Sequence, residues 1–199
     1  MEWYEAEVRA LQSARACRAA KDRPPVFYGS SSIRLWETLP EDLNPGILNL
    51  GFGGSTLEAC DHFFLRLVPP ENPRSLLLYA GDNDLGDGRT LKQVLGWFRS
   101  FAEKVAVSLG PIPFGFVSVK PSPARYPIVG RIRCFNDLVR REIESIPSGY
   151  YVDVFSAMLD DSGKPRGEFF REDGLHLNRE GYRLWGRLLA PYRNQIFTD

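Results

Sequence analysis

Short apolar runs alternate along this chain with longer stretches in which apolar positions recur every three or four residues. The runs lie at Val26–Tyr28, Ile47–Leu50, Ser75–Ala80, Phe114–Val119 and Tyr150–Phe155, and each reads as a strand buried on both faces. Tyr4, Val8, Leu11 and Ala14 predict an amphipathic helix over residues 2–20, stopped by Asp22–Pro25. Ser55 or Thr56 is placed to cap a helix carrying Leu57, Cys60, Phe64 and Leu67. Thr90 with Gln93 forms a capping box that opens a helix with Leu91, Val94, Phe98, Phe101 and Val105 on one face. Ile128, Ile132, Phe135, Val139 and Ile143 mark the next helix. Asn178 caps a last one carrying Tyr182, Trp185, Leu189, Tyr192 and Ile196. Strands alternating with helices predict an α/β domain with a mainly parallel, doubly wound sheet covered on both faces. Neither a repeat nor a linker interrupts the pattern, so residues 1–199 are expected to form a single domain, with the helix of residues 1–22 packed on it.

Composition narrows the function classes. Of the 199 residues, 25 are Lys or Arg and 25 are Asp or Glu, so the formal net charge is zero and no basic excess points to nucleic acid. The arginines at 131, 133, 140 and 141 read as the solvated face of a helix. Glu2, Glu5 and Glu7 are out of place in a secretory or mitochondrial leader, and no apolar run approaches a membrane span. Cys17, Cys60 and Cys134 are odd in number and widely spaced, and the Cys60/His62 pair lacks a second ligand pair for zinc. Reduced thiols in a cytoplasmic protein without a bound metal are expected.

In such a fold ligands bind beyond the carboxyl ends of the strands. The segments that follow the strands are polar or rich in glycine: Gly29-Ser30-Ser31-Ser32, Asn49 through Thr56, Gly81-Asp82-Asn83-Asp84, and Asp173-Gly174-Leu175-His176. A serine at a strand–turn–helix junction sits beside free backbone N–H groups, where a nucleophile benefits from stabilised negative charge; it is also a favoured helix cap. A serine nucleophile needs a general base, and the chain has two histidines. His62 falls in an apolar helical segment and reads as a core or interface residue. His176 follows Asp173 by three residues, close enough for the carboxylate to orient the imidazole. Gly54 offers a backbone N–H, and Asn83 a side-chain amide, to a developing oxyanion. The Gly51–Gly54 run does not fit a dinucleotide loop, and Asp82–Asp87 misses the calcium-loop pattern because Gly86 comes one place early and residue 93 is Gln.

These blocks together resemble the SGNH, or GDSL-like, serine hydrolases. Gly29-Ser30-Ser31 matches that family's Gly-Asp-Ser, with Ser30 where the family usually carries Asp. Gly54 matches its glycine donor, Gly81, Asn83 and Asp84 its Gly-x-Asn-Asp, and Asp173 and His176 its Asp-x-x-His. The resemblance implies a flavodoxin-like α/β/α sandwich with about five parallel strands. It also implies a catalytic triad of Ser31, His176 and Asp173, and an oxyanion hole made by the Ser31 and Gly54 N–H groups with the Asn83 amide. By register Ser31 is the nucleophile, ahead of Ser30 and Ser32.

The expected function is therefore a serine esterase acting on small or medium acyl esters, without metal or organic cofactor, and with a small-molecule substrate as its partner. Within the family the alternatives are a carbohydrate O-acetyl esterase, a lysophospholipase or a thioesterase. Outside it they are an acyltransferase or a non-catalytic binding module on the same fold. Lys120, Arg125 and Tyr126, with Phe52 and Leu85, are candidates for a pocket wall, against the simpler reading of residues 120–127 as a proline-stiffened loop. The oligomeric state is left open, with Trp3 and Phe197 as exposed aromatics available to an interface.

Overall fold

In the computed structural model, which describes residues 1–16 and 23–197, the five apolar runs form one sheet. Its strands are β1 (Pro25–Gly29), β2 (Leu48–Gly51), β3 (Ser75–Tyr79), β4 (Phe114–Val117) and β5 (Gly149–Val152). Their order is β2-β1-β3-β4-β5 and every pairing is parallel, with Phe27 opposite both Asn49 and Leu77. Several runs outlast their strands. Ala80, Val119, Val154 and Phe155 are buried yet lie past the ladder, because apolarity reports burial rather than pairing.

The α-helices follow in chain order: α1 (Glu5–Ala16), α2 (Ser31–Arg34), α3 (Leu39–Asp42), α4 (Leu57–Leu67), α5 (Asp82–Gly86), α6 (Leu91–Leu109), α7 (Val129–Glu144), α8 (Arg179–Leu189) and α9 (Arg193–Ile196). A 3-10 turn over Glu2–Tyr4 leads into α1. The far end of the predicted first helix, including Cys17, lies outside the described residues. Thr56 caps α4 by accepting from the Ala59 N–H at 3.0 Å, the Thr90/Gln93 capping box opens α6, and Asn178 caps α8. The predicted last helix is broken: Pro191 has no N–H to donate, and a 3-10 turn separates α8 from α9.

The pleat sends alternate side chains to opposite faces, and both faces are covered. Val26, Tyr28, Leu76, Leu78, Phe114 and Phe116 pack with the residues of α1, α4, α6 and α7. Phe27, Leu77, Tyr79, Val117 and Val152 pack with Ile33, Trp36, Leu39, Trp185 and Ile196 on the other side. The result is a three-layer α/β/α sandwich. Phe197, expected to be exposed, instead packs partly buried against this second cluster.

The strand order reverses between β1 and β3: from β1 the chain moves to one edge as β2, then crosses back to begin β3 on the other side. A crevice opens at such a switch point beyond the carboxyl ends of the strands. The close approach there requires Gly29, whose φ is +143° and where a Cβ would fall 1.9 Å from the Tyr79 carbonyl oxygen. That carbonyl accepts the Ser30 N–H at 2.9 Å, and the Gly29 carbonyl accepts the Phe52 N–H at 3.0 Å. The three strand-end loops are thus tied at the root.

Candidate active site

Ser31 is the first residue of α2, directly after the β1 turn. Ser30 and Ser32 are buried, and the Ser32 carbonyl accepts the Tyr182 hydroxyl at 3.1 Å. Of the three serines, Ser31 alone lines a cavity of about 370 Å³ at the sheet's carboxyl edge. Gly54 and His176 line the same cavity, joined by Trp3, Tyr4 and Glu7 from the N-terminal segment and by Arg34 and Leu35 from the end of α2.

His176 arrives on a tight turn between Phe170 and Leu177, which pair as an antiparallel bridge. Asp173 organises that turn. Its Oδ1 accepts the backbone N–H groups of Leu175 and His176, each at 2.9 Å, and its Oδ2 lies 2.6 Å from His176 Nδ1. Partial burial pushes the Asp173 carboxyl up, but the hydrogen bonds from the His176 ring and from the two N–H groups outweigh it and hold the carboxyl at about 2. An ionised Asp173 fixes the proton on Nδ1 and leaves Nε2 as the acceptor of the ring.

Opposite the histidine, the loop that leads into α4 is held by the Gly81–Asp84 turn. Asn83 Nδ2 donates to the Ser55 carbonyl at 3.1 Å, and Asp84 Oδ2 accepts the Leu57 N–H at 2.8 Å. Gly54 has φ +66° and open space where a side chain would be. Among the described residues the N–H groups of Ser31 and Gly54 make no hydrogen bond, so both donors remain available. The structure thus brings Ser31, Gly54 and His176 to one cavity and bonds Asp173 to His176. It sets the Asn83 amide on the neighbouring loop, against Ser55, outside the cavity lining.

Asp84 is buried, and burial raises its carboxyl to about 6 against the hydrogen bonds that lower it. The folded protein therefore holds this proton more tightly than the unfolded chain. Its contribution is a cost at neutral pH that is relieved as pH falls from about 6 towards 4. Asp84→Asn should remove that dependence: the stability difference between wild type and variant should shift by roughly 3 kcal/mol across the interval and stay level above it. Urea titrations of both proteins from pH 4 to 8 measure it, and a constant difference would refute the assignment.

Several predicted positions stand elsewhere. His62 is not in the core but exposed on α4, with its ring edge-on to Phe63 at 4.6 Å. Phe52 and Leu85 are core residues. Lys120 is buried and pairs with Asp82 at 2.6 Å, and its ammonium also donates to the Tyr79 hydroxyl at 3.1 Å. Burial opposes the charge on Lys120, but the Asp82 carboxylate outweighs it and raises the ammonium above its ordinary range. Arg125 Nε lies 3.6 Å from the same carboxylate. The 120–127 segment lines no part of the cavity; its Ala124 N–H donates to the Gly174 carbonyl at 3.0 Å and so supports the Asp173–His176 turn from behind.

The N-terminal wall was missed by sequence reasoning. Tyr4 registered there only as one apolar position of an amphipathic helix, and Glu7 only as a charge. A larger groove of about 500 Å³ lies near the amino end of β4, between Ala102, Val105, Ile112 and Ile146. Among the described residues Glu103 is the one ionisable group in its lining, and no histidine stands there to serve a serine. Among the described residues no three His, Cys, Asp or Glu side chains are grouped to hold a metal ion, and no helix is long and apolar enough to cross a membrane.

Comparison with known proteins adds to this geometry. The model of the GDSL-like lipase/acylhydrolase family matches residues 24–184. No curated protein sequence matches the chain. Among solved structures, a Streptococcus pneumonia protein named provisionally as a platelet activating factor superposes with a TM-score of 0.83 at 19% identity, covering 96% of this chain and 95% of that one. A GDSL-like lipase from Bacteroides thetaiotaomicron gives 0.80 at 20% identity over 94% and 97%. A catalytic mutant of an acetylxylan esterase from Geobacillus stearothermophilus gives 0.70 at 13% identity over 84% and 92%. At these identities the likeness is one of fold.

Proposed function

The chain belongs to the GDSL-like lipase/acylhydrolase family, and from that premise we propose that it is a serine esterase acting on short acyl esters. The observation that carries the reading is the shared lining of one cavity by Ser31, Gly54 and His176, with the Asp173 carboxylate 2.6 Å from His176 Nδ1. In the proposed reaction His176 Nε2 takes the Ser31 proton as Oγ attacks the ester carbonyl. Asp173 stabilises the imidazolium that forms. The N–H groups of Ser31 and Gly54 receive the charge that develops on the carbonyl oxygen, while the Asn83 amide, bonded to the Ser55 carbonyl outside the lining, supports the Gly54 loop. His176 then returns the proton to the leaving alcohol, and water repeats the sequence in reverse to free Ser31.

Short acyl groups are favoured because the cavity, at about 370 Å³, lies at the low end for a ligand pocket and carries charged groups in its wall. Glu7 and Arg34 pair across its wall at 3.3 Å, where a long acyl chain would need an apolar groove. An acetyl ester of a larger alcohol fits best, which is also the class named for the acetylxylan esterase. Turnover of p-nitrophenyl esters from acetate to decanoate tests the reading, together with labelling by a fluorophosphonate. Acetate should be hydrolysed at least about tenfold more efficiently than decanoate. An inverted chain-length order would overturn the short-acyl assignment. Inactivity on the whole series without fluorophosphonate labelling would overturn the esterase.

A further inference from the structure

We propose that the N-terminal segment is part of the catalytic apparatus: Tyr4 and Glu7 are positioning residues that lock the peptide carrying the Gly54 N–H. The inference rests on the esterase reading and adds to it the device that keeps one oxyanion donor aimed.

The peptide between Gly53 and Gly54 joins two residues without side chains. Gly54 is exposed, and a Cβ there would meet nothing within 4 Å, so at its Gly54 end packing does not restrain this link; at Gly53 the near neighbours are Arg34 and Glu7. Glycine pairs lose the most backbone freedom on ordering, and a peptide left loose would spend part of its time with the N–H turned away from the cavity. Two hydrogen bonds from the N-terminal segment prevent that. Glu7 Oε2 accepts the Gly53 N–H at 2.5 Å, and the Tyr4 hydroxyl donates to the Gly54 carbonyl at 3.1 Å. These bonds engage the peptide before and the peptide after the one that holds the Gly54 N–H. With both neighbours pinned, the loop cannot swing or drift, and the link between them keeps only a concerted ψ53/φ54 rotation.

Each pin is itself held. Arg34, three residues after Ser31 on α2, pairs with Glu7 at 3.3 Å and so ties the nucleophile's helix to the donor's loop. The Tyr4 ring stands edge-on to Phe52 at 5.5 Å and to Phe63 at 6.3 Å. The docking of α1 does not depend on the pins. Val8 is fully buried, and Arg66 holds Glu5 through two hydrogen bonds of 2.6 and 3.1 Å. The pins can therefore be cut while the helix stays in place.

Preorganised donors act on the transition state and leave ground-state binding nearly unchanged. For the double variant Tyr4→Phe/Glu7→Met, which leaves no acceptor for the Gly53 N–H and no donor to the Gly54 carbonyl, kcat on p-nitrophenyl acetate should fall about 10- to 100-fold with KM within about twofold of wild type; full loss of one donor sets the ceiling near 10²–10³. Glu5→Gln, which loosens the docking of the same helix at Arg66 and spares both pins, should keep kcat within about twofold. A wild-type kcat in the double variant, or an equal fall in Glu5→Gln, overturns the inference. A second readout is independent of turnover: the Gly54 amide should lose ¹⁵N order in the double variant and keep it in Glu5→Gln. Inactivity of the wild type would defeat the esterase reading alone. In that case a Gly54 amide as ordered in the double variant as in wild type overturns the pins as well.

Discussion

Ser31→Ala should abolish ester hydrolysis, lowering kcat by about 10⁶-fold and leaving only the catalysis supplied by binding and the oxyanion donors. The adjacent serines make this a sharp test. Ser30 and Ser32 are buried, so neither hydroxyl can stand in for Ser31 at the cavity. Ser30→Ala should therefore retain activity within about tenfold, since it touches the turn and not the attacking atom. Asp173→Asn should fall between the two. It keeps a hydrogen-bonding side chain beside His176 but loses the charge that fixes the proton on Nδ1, a change worth about 10⁴ where a comparable carboxylate has been replaced. Fluorophosphonate labelling followed by peptide mapping reads the nucleophile directly. A label on Ser30 or Ser32, or a Ser31→Ala protein with wild-type kcat, would move the chemistry off Ser31.

Lys120→Met should produce the largest loss of stability, about 3–5 kcal/mol, because it leaves the Asp82 carboxylate buried without its ammonium partner. Both side chains are 5% exposed or less, so solvent does little to soften the loss. In a domain of this size that corresponds to a melting temperature roughly 10 °C lower. Asp82→Leu/Lys120→Met should recover most of the loss, since an apolar pair of similar volume needs no counter-charge. A single variant within about 1 kcal/mol of wild type would show that the pair contributes little. The pair also bears on the site. Asp82 precedes Asn83 on α5, and Lys120 begins the segment whose Ala124 supports Gly174, so the ion pair spans from the Asn83 turn to the Asp173–His176 turn.

Much of the frame could be read from residue order. Five apolar runs became five strands, and Thr56, Thr90 and Asn178 capped the helices assigned to them, because these signals are local and act within one turn of chain. The strand-end rule also brought Ser31, Gly54 and His176 within one lining. What residue order did not carry was contact between distant segments. Tyr4 meets Gly54 across 50 positions and Lys120 meets Asp82 across 38, and neither pairing leaves a periodic trace. His62, expected in the core or at an interface, is kept out of the core for a related reason. An apolar helix still has an outer side, and residue 62 falls on it between buried Phe63 and Phe64 on one flank and Cys60 on the other. The proline-rich 120–127 segment reads in sequence as a pocket wall or a stiffened loop, and its contact with Gly174 gives it a third task, that of a buttress.

Because β1 lies between β2 and β3, it gains both neighbours only after residue 79 has left the ribosome. The cover on that face of the sheet comes later still: the Tyr182 hydroxyl reaches the Ser32 carbonyl on α2 across 150 positions, and the Ser75 hydroxyl on β3 reaches the Ile196 carbonyl across 121. Contacts of such separation close late in folding, since the entropy of the intervening chain must be overcome first. A nascent chain therefore carries its candidate nucleophile for most of its synthesis with no imidazole to activate it. By topology the candidate site stays incomplete until residue 176 has been made.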